Sequence, residues 1–181
     1  MLKIALTGKL RSGKDVIADR LFTDHGFELP ISFGSSLKYY ADKIFDVSEG
    51  YAKPRKLYQQ FGQLCRTIDE DVWVKHAEFS VKQALDSRST TGIVISDLRQ
   101  PNEYEWCRRN GFVIVRVTAS DEIRMARAIE ANDDFSVHDF AHETEQYVDK
   151  FDVDYEIVND GSLDELYAQV DAFITDVVIE K

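Results

Sequence analysis

Residues Gly8-Lys9-Leu10-Arg11-Ser12-Gly13-Lys14-Asp15 place two glycines, a lysine and an acid directly behind the apolar run 2–7. Gly8 and Gly13 let the chain curl so that successive backbone N–H groups point inward, and a helix starting near Lys14 adds the positive end of its dipole. A loop of this kind cradles polyphosphate. Lys14 then reaches the β/γ-phosphates of a nucleoside triphosphate, with Gly8, Arg11, Ser12 and Gly13 lining the cradle. Asp15 stands where a hydroxyl residue usually serves Mg²⁺. A carboxylate at that point either ligates the metal or a metal-bound water, or it only complements the first turn of the helix.

Ile93-Val94-Ile95-Ser96-Asp97 is a second buried run that ends in an acid, and Arg99 follows two residues later. That arrangement puts Asp97 near the metal and Arg99 near a phosphate, or pairs the two with each other. Arg124 and Arg127 lie three apart in a helix predicted over 121–131, so they emerge on one face. Two guanidinium groups on a closing lid, about 121–138, supply the positive charge and water exclusion that phosphoryl transfer needs. Pairing with Asp121 or Glu130 is the plainer alternative. His138-Asp139-Phe140-Ala141-His142 has the spacing of a helical zinc site, but the acid is too short for the usual base and no third ligand suggests itself. An Asn-Lys-x-Asp element is missing, which argues against a GTPase.

These residues need a scaffold that brings them to one place. Five predicted strands, at 2–7, about 28–33, 92–96, 112–117 and 153–158, alternate with helical patterns. The alternation predicts a three-layer α/β domain around a five-stranded parallel sheet in the order 2-3-1-4-5. Helical spacing of Leu37, Tyr40, Ala41, Ile44 and Phe45, of Leu57, Phe61 and Leu64, and of Val72, His76, Phe79 and Leu85 fills 34–90. This is too long for a simple crossover and predicts a substrate flap beside the carboxyl ends of the strands.

The chain has 181 residues, 44% of them hydrophobic, enough for one domain with a substantial core. Its net charge of −11 hides a sharp segregation: residues 1–127 hold 20 Lys and Arg against 17 Asp and Glu, and residues 128–181 hold 2 against 16. Anion-binding equipment is therefore confined to the first part. The acidic remainder excludes a nucleic-acid polymer as partner and favours a small phosphorylated substrate. Cys65 and Cys107 lack metal-site spacing and read as packed thiols. No apolar stretch is long enough for a membrane span, and no signal-peptide pattern follows Met1, so the expected location is cytoplasmic. The oligomeric state stays open, a homodimer included.

In combination, the Ser12-Gly13-Lys14-Asp15 form of the loop, Tyr58-Gln59-Gln60-Phe61-Gly62-Gln63 followed by 66–73, and Ile95-Ser96-Asp97-Leu98-Arg99-Gln100-Pro101-Asn102-Glu103 resemble the deoxynucleoside monophosphate kinases of phages and bacteria, relatives of adenylate kinase. The similarity runs over nearly the whole chain. It implies ATP-dependent, Mg²⁺-assisted phosphorylation of a nucleoside monophosphate. Lys14 and the loop amides would hold the ATP phosphates, Asp15 and Asp97 the metal environment, Arg66 and Arg99 the acceptor phosphate, and Arg124 and Arg127 the lid. Lys38, Arg55, Gln63 and Trp73 would contact the acceptor. Asn159 and Gly161, in the segment 159–163, resemble the family's adenine-side loop, and 142–145 resembles its His-x-Ser/Thr-Glu element. A kinase of dephospho-coenzyme A or phosphomevalonate, or a nucleotide-binding regulator without catalysis, remains the alternative.

Overall fold

The computed structural model describes residues 1–47, 54–86, 90–131 and 147–179. Four parallel strands, β1 (Leu2–Thr7), β2 (Gly92–Leu98), β3 (Val113–Thr118) and β4 (Tyr155–Val158), form one sheet in the order β2-β1-β3-β4. Ile4, Ala5 and Leu6 in β1 and Ile93, Val94 and Ile95 in β2 are fully buried. Continuous apolar runs of this kind are what a sheet covered on both faces requires.

The period-2 alternation of each strand divides the core into two layers. On one face Ile93, Ile95 and Ile114 pack with Phe33, Val74, Val81, Trp106 and Cys107, from α2 (Phe33–Phe45), α4 (Val72–Leu85) and α5 (Pro101–Arg109). On the other, Ile4, Leu6, Val94, Val115 and Ile157 pack with Ile17 and Leu21 of α1 (Lys14–His25) and with Leu166, Val170 and Phe173 at the opposite end of the sequence. Those last three belong to α7 (Leu163–Ile179). Two further helices, α3 (Arg55–Ile68) and α6 (Asp121–Glu130), complete the elements used below. Val16 and Phe22, also apolar residues of α1, are exposed.

The expected fifth strand is a correction. The segment expected at about 28–33 makes two isolated parallel bridges, Phe27 with Gly92 and Ile31 with Ile95, and no ladder. Pro30 has no N–H to donate, and the regular spacing of the bonds to β2 breaks across it: Glu28 N donates to Gly92 O at 2.9 Å, then Ile31 N to Val94 O at 2.9 Å and Ser96 N to Ile31 O at 3.0 Å. The segment still lies outside β2, where the expected order put it. At the other edge Gln169 of α7 closes β4: its Nε2 donates to Val158 O at 2.8 Å and its Oε1 accepts from Val158 N at 3.1 Å. No described helix is long and apolar enough to cross a membrane.

Candidate active site

Because all four strands run parallel, their carboxyl ends share one rim, where the crevice of an open α/β sheet binds ligands. The loop 8–13 leaves β1 at this rim, Asp97 and Arg99 lie at the end of β2, α6 follows β3, and Asn159 follows β4. Thr7 Oγ1 donates to Leu98 O at 3.0 Å and ties the ends of β1 and β2 together.

The loop needs its glycines. Gly8 sits at φ 146°, and a Cβ there would lie 2.2 Å from Val117 O. Gly13 sits at φ 104°, and a Cβ there would lie 2.2 Å from Asn159 Nδ2. Both are positions that only glycine occupies without strain. Inside the curl, the buried Lys14 ammonium donates to Gly8 O at 2.7 Å and Lys9 O at 2.8 Å. Asp15 is exposed in the first turn of α1. Gly13, which precedes α1, has no side chain with which to cap the helix.

The outside of the loop is held by side chains from distant parts of the sequence. Asn159 Nδ2 donates to Ser12 O at 2.8 Å, Arg124 to Leu10 O at 3.0 Å, and Arg127 to Arg11 O at 3.5 Å. Arg127 also donates to Asn159 O and Oδ1, both at 3.1 Å. Arg124 is 2% exposed and pairs with Asp121 at 2.7 Å, as the plainer sequence reading had it, and the ion pair holds the Asp121 carboxyl below the usual carboxylate range. The two arginines do share a face, and that face rests on the phosphate loop. Gly161 lies in the cap of α7, where Ser162 and Glu165 bond reciprocally.

On the β2 side, Asp97 is fully engaged in starting α2. Its Oδ1 accepts from Phe33 N at 2.7 Å, and its Oδ2 from Ser32 Oγ at 2.6 Å and Gly34 N at 3.0 Å. An acid at a helix N-terminus satisfies orphan donors and complements the dipole. Nearby, the carboxylate of Glu103 is buried. Its Oε2 accepts from the backbone N–H of Arg99 and of Gln100, each at 3.0 Å, and its Oε1 pairs with Arg66 at 3.4 Å. Burial, with the Asp97 charge adding to it, pushes the Glu103 carboxyl up to about 7.

The family model of deoxynucleotide monophosphate kinase matches residues 30–170. The chain belongs to this family. It is a nucleoside monophosphate kinase. The matched range begins after the phosphate loop; solved structures similar to this fold cover that part as well. TT1252 from Thermus thermophilus is 18% identical, with 97% of each chain covered and a TM-score of 0.58. Dephospho-CoA kinase from Campylobacter jejuni is 15% identical, with 97% of this chain and 96% of that one covered and a TM-score of 0.56. Shikimate kinase from Bacteroides thetaiotaomicron is 12% identical, with 99% of each chain covered and a TM-score of 0.55. No curated protein matches the sequence.

The residues expected on the acceptor side fall into two groups. Lys38 is exposed on α2 one turn from Gly34, whose missing Cβ leaves room for Asp97 Oδ2 at 3.2 Å and Lys38 Cε at 3.9 Å. Arg55 opens α3, Gln63 is exposed on it, and Arg66 stands one turn beyond Gly62. Trp73 is different. It is 2% exposed, its Nε1 donates to Gly62 O at 3.3 Å, and its ring packs against Phe61 and His76, so its flat face is used inside the helical layer. Glu103 is the residue that sequence reasoning missed as a participant. The available signal was Gln100 three residues before it, a capping-box spacing behind Pro101. The segment 132–146, with His138, His142 and the end of the expected lid, lies outside the described residues. Among the described residues no three His, Cys, Asp or Glu side chains gather as a metal site.

Proposed function

We propose that this kinase transfers the γ-phosphoryl group of ATP to the phosphate of a deoxynucleoside monophosphate, giving ADP and the deoxynucleoside diphosphate. The observation that carries the reading is the convergence, on one sheet rim, of the glycine-built loop around Lys14 with Arg66, Arg99, Arg124 and Arg127, in a chain of this family.

An oxygen of the acceptor phosphate attacks the γ-phosphorus in line, the bond to the β,γ-bridging oxygen breaks, and its electron pair leaves with ADP. The attacking oxygen is already ionised, so no strong base is required. Lys14 and the inward N–H groups of 8–13 bind the donor phosphates, and Asn159 keeps the loop in its curl. Arg66 and Arg99 bind the acceptor phosphate, with Lys38, Arg55 and Gln63 beside it on the insertion 34–90. Arg124 and Arg127, on α6, offset the charge that builds on the transferring group. Mg²⁺, when bound, neutralises phosphate charge, and Asp15 fits it as an exposed acid at the loop's end, whereas both oxygens of Asp97 already serve α2.

A panel of deoxynucleoside and ribonucleoside monophosphates, dephospho-coenzyme A and phosphomevalonate, each with ATP and Mg²⁺, tests the reading through ADP release. A deoxynucleoside monophosphate is expected to give the highest kcat/KM. Preference for dephospho-coenzyme A or phosphomevalonate overturns the acceptor, and no transfer to any member favours a nucleotide-binding regulator.

A further inference from the structure

Among the described residues, several polar links join the helices of the 34–90 insertion to the sheet rim. Asn102 and Glu103, in the first turn of α5, supply two of them. Asn102 Nδ2 donates to Glu70 O and to Asp71 Oδ1, each at 3.0 Å, and so holds the corner between α3 and α4. Glu103 holds the last turn of α3 through Arg66, and with its other oxygen it fixes the backbone of Arg99 and Gln100. One buried carboxylate thus touches both segments that carry the acceptor-phosphate arginines.

We propose that Glu103 is a positioning residue for the acceptor, setting the Arg66 guanidinium and the Arg99 backbone in one fixed relation, an inference that rests on the assignment of Arg66 and Arg99 to the acceptor phosphate. Arginine is long and rotamer-rich, and a planar fork held on one edge presents the other edge with less entropy to lose. Glu103 is 3% exposed, so the pairing is shielded from salt and water. The groups facing the carboxylate are Arg66 from α3, the Asp97 charge from the end of β2 and, on its own helix, the buried Cys107 thiol, whose pKa burial raises. A capping acid alone does not need the first of these. Removing Glu103 also removes an anion that a bound phosphate has to tolerate, which works in the opposite direction, and the experiment decides which effect wins.

Glu103→Gln separates the two roles, because glutamine at this position keeps an acceptor for the Arg99 and Gln100 N–H groups and discards the charge that holds Arg66. Steady-state kinetics with the best acceptor of the panel, run more than one pH unit above the carboxyl's value of about 7 so that Glu103 is ionised, should give an acceptor KM raised about fivefold to tenfold, with the ATP KM changed less than about twofold. Repeated in an Arg66→Ala background, Glu103→Gln should change the acceptor KM by less than about twofold. An acceptor KM that is unchanged or lower in Glu103→Gln, or an equal rise with and without Arg66, overturns the proposal, since a purely structural cap acts regardless of its arginine. If Glu103→Gln does not fold, Glu103→Asp, which keeps the charge and shortens the reach, goes through the same cycle with the same expected pattern. A parent protein that phosphorylates no nucleoside monophosphate removes the acceptor assignment and this inference together. A working parent with a silent Glu103→Gln removes this inference alone.

Discussion

The two ends of the rim are built in opposite ways. Around the phosphate loop, four polar side chains from α1, α6 and the end of β4 satisfy the carbonyls of residues 8–12, and Lys14, Arg124 and Asn159 are all buried. On the acceptor side, Lys38 and Gln63 are exposed on helices that reach the sheet through α2 and the first turn of α5, and Tyr39, Ile44, Phe45 and Leu64 are exposed beside them. The proposed donor end is a loop whose backbone carbonyls are already held in place by side chains from α6 and the end of β4. The proposed acceptor end instead carries its candidate groups on two helices, Lys38 on α2 and Gln63 on α3. Preorganised charge lowers reaction barriers because it needs no rearrangement during the step.

The largest expected effect comes from breaking the donor end at its centre. Lys14→Ala should lower kcat by at least about 10²-fold with the thermal transition still cooperative, because an electrostatic contact to the transferring group is lost. Equal rates in mutant and parent would move the donor site elsewhere. Removing Arg124 and Arg127 together should lower kcat by about tenfold or more while the ATP KM changes less, since their contacts strengthen only as charge develops. An effect confined to the ATP KM would make them ground-state anchors of the loop.

Asn159→Ala should cost about 1–3 kcal/mol in denaturant unfolding, the penalty of leaving the buried Ser12 O without its donor, while Arg127 keeps the backbone carbonyl of residue 159. It should raise the ATP KM and leave the acceptor KM close to the parent's, which sharpens the division between the two ends. Glu103 gives the acceptor end a pH signature. Its folded carboxyl titrates near 7 against an ordinary 4.5, so the folded state holds a proton that the unfolded chain has released. Its contribution to stability is full below about 4.5, declines as pH rises to about 7, and is then gone. Glu103→Gln should flatten the fall of Tm across that window. The smallest effect is at Asp15: Asp15→Ala should raise the Mg²⁺ requirement and Asp15→Ser should retain most activity, whereas a helix-dipole role changes only stability, by up to about 1 kcal/mol.

The sequence made the donor end more legible than the acceptor end, for a physical reason. A loop that wraps phosphate needs glycine at fixed spacing because the backbone itself does the binding, so Gly8 and Gly13 announce it. Arg124 and Arg127 could be placed on one helical face, but their partners at Leu10, Arg11 and Asn159 are far away in sequence, and no local rule gives them. The strand expected near 28–33 reads as apolar and extended, yet Pro30 removes the donor a ladder needs there. Trp73 has the right chemistry for stacking on a base; burial, which its residue type does not reveal, uses the ring for packing. Glu103 was hidden because a buried acid looks like any other acid until the fold surrounds it.

Both outer strands of the sheet end in blunted edges. Gln169 lends its amide to β4 as though it were one residue of a further strand, and Pro30 interrupts the donors on the opposite side. Among the described residues, an incoming extended chain therefore meets interrupted rows of N–H and C=O groups at both margins of the folded sheet, which works against edge-to-edge pairing of finished molecules.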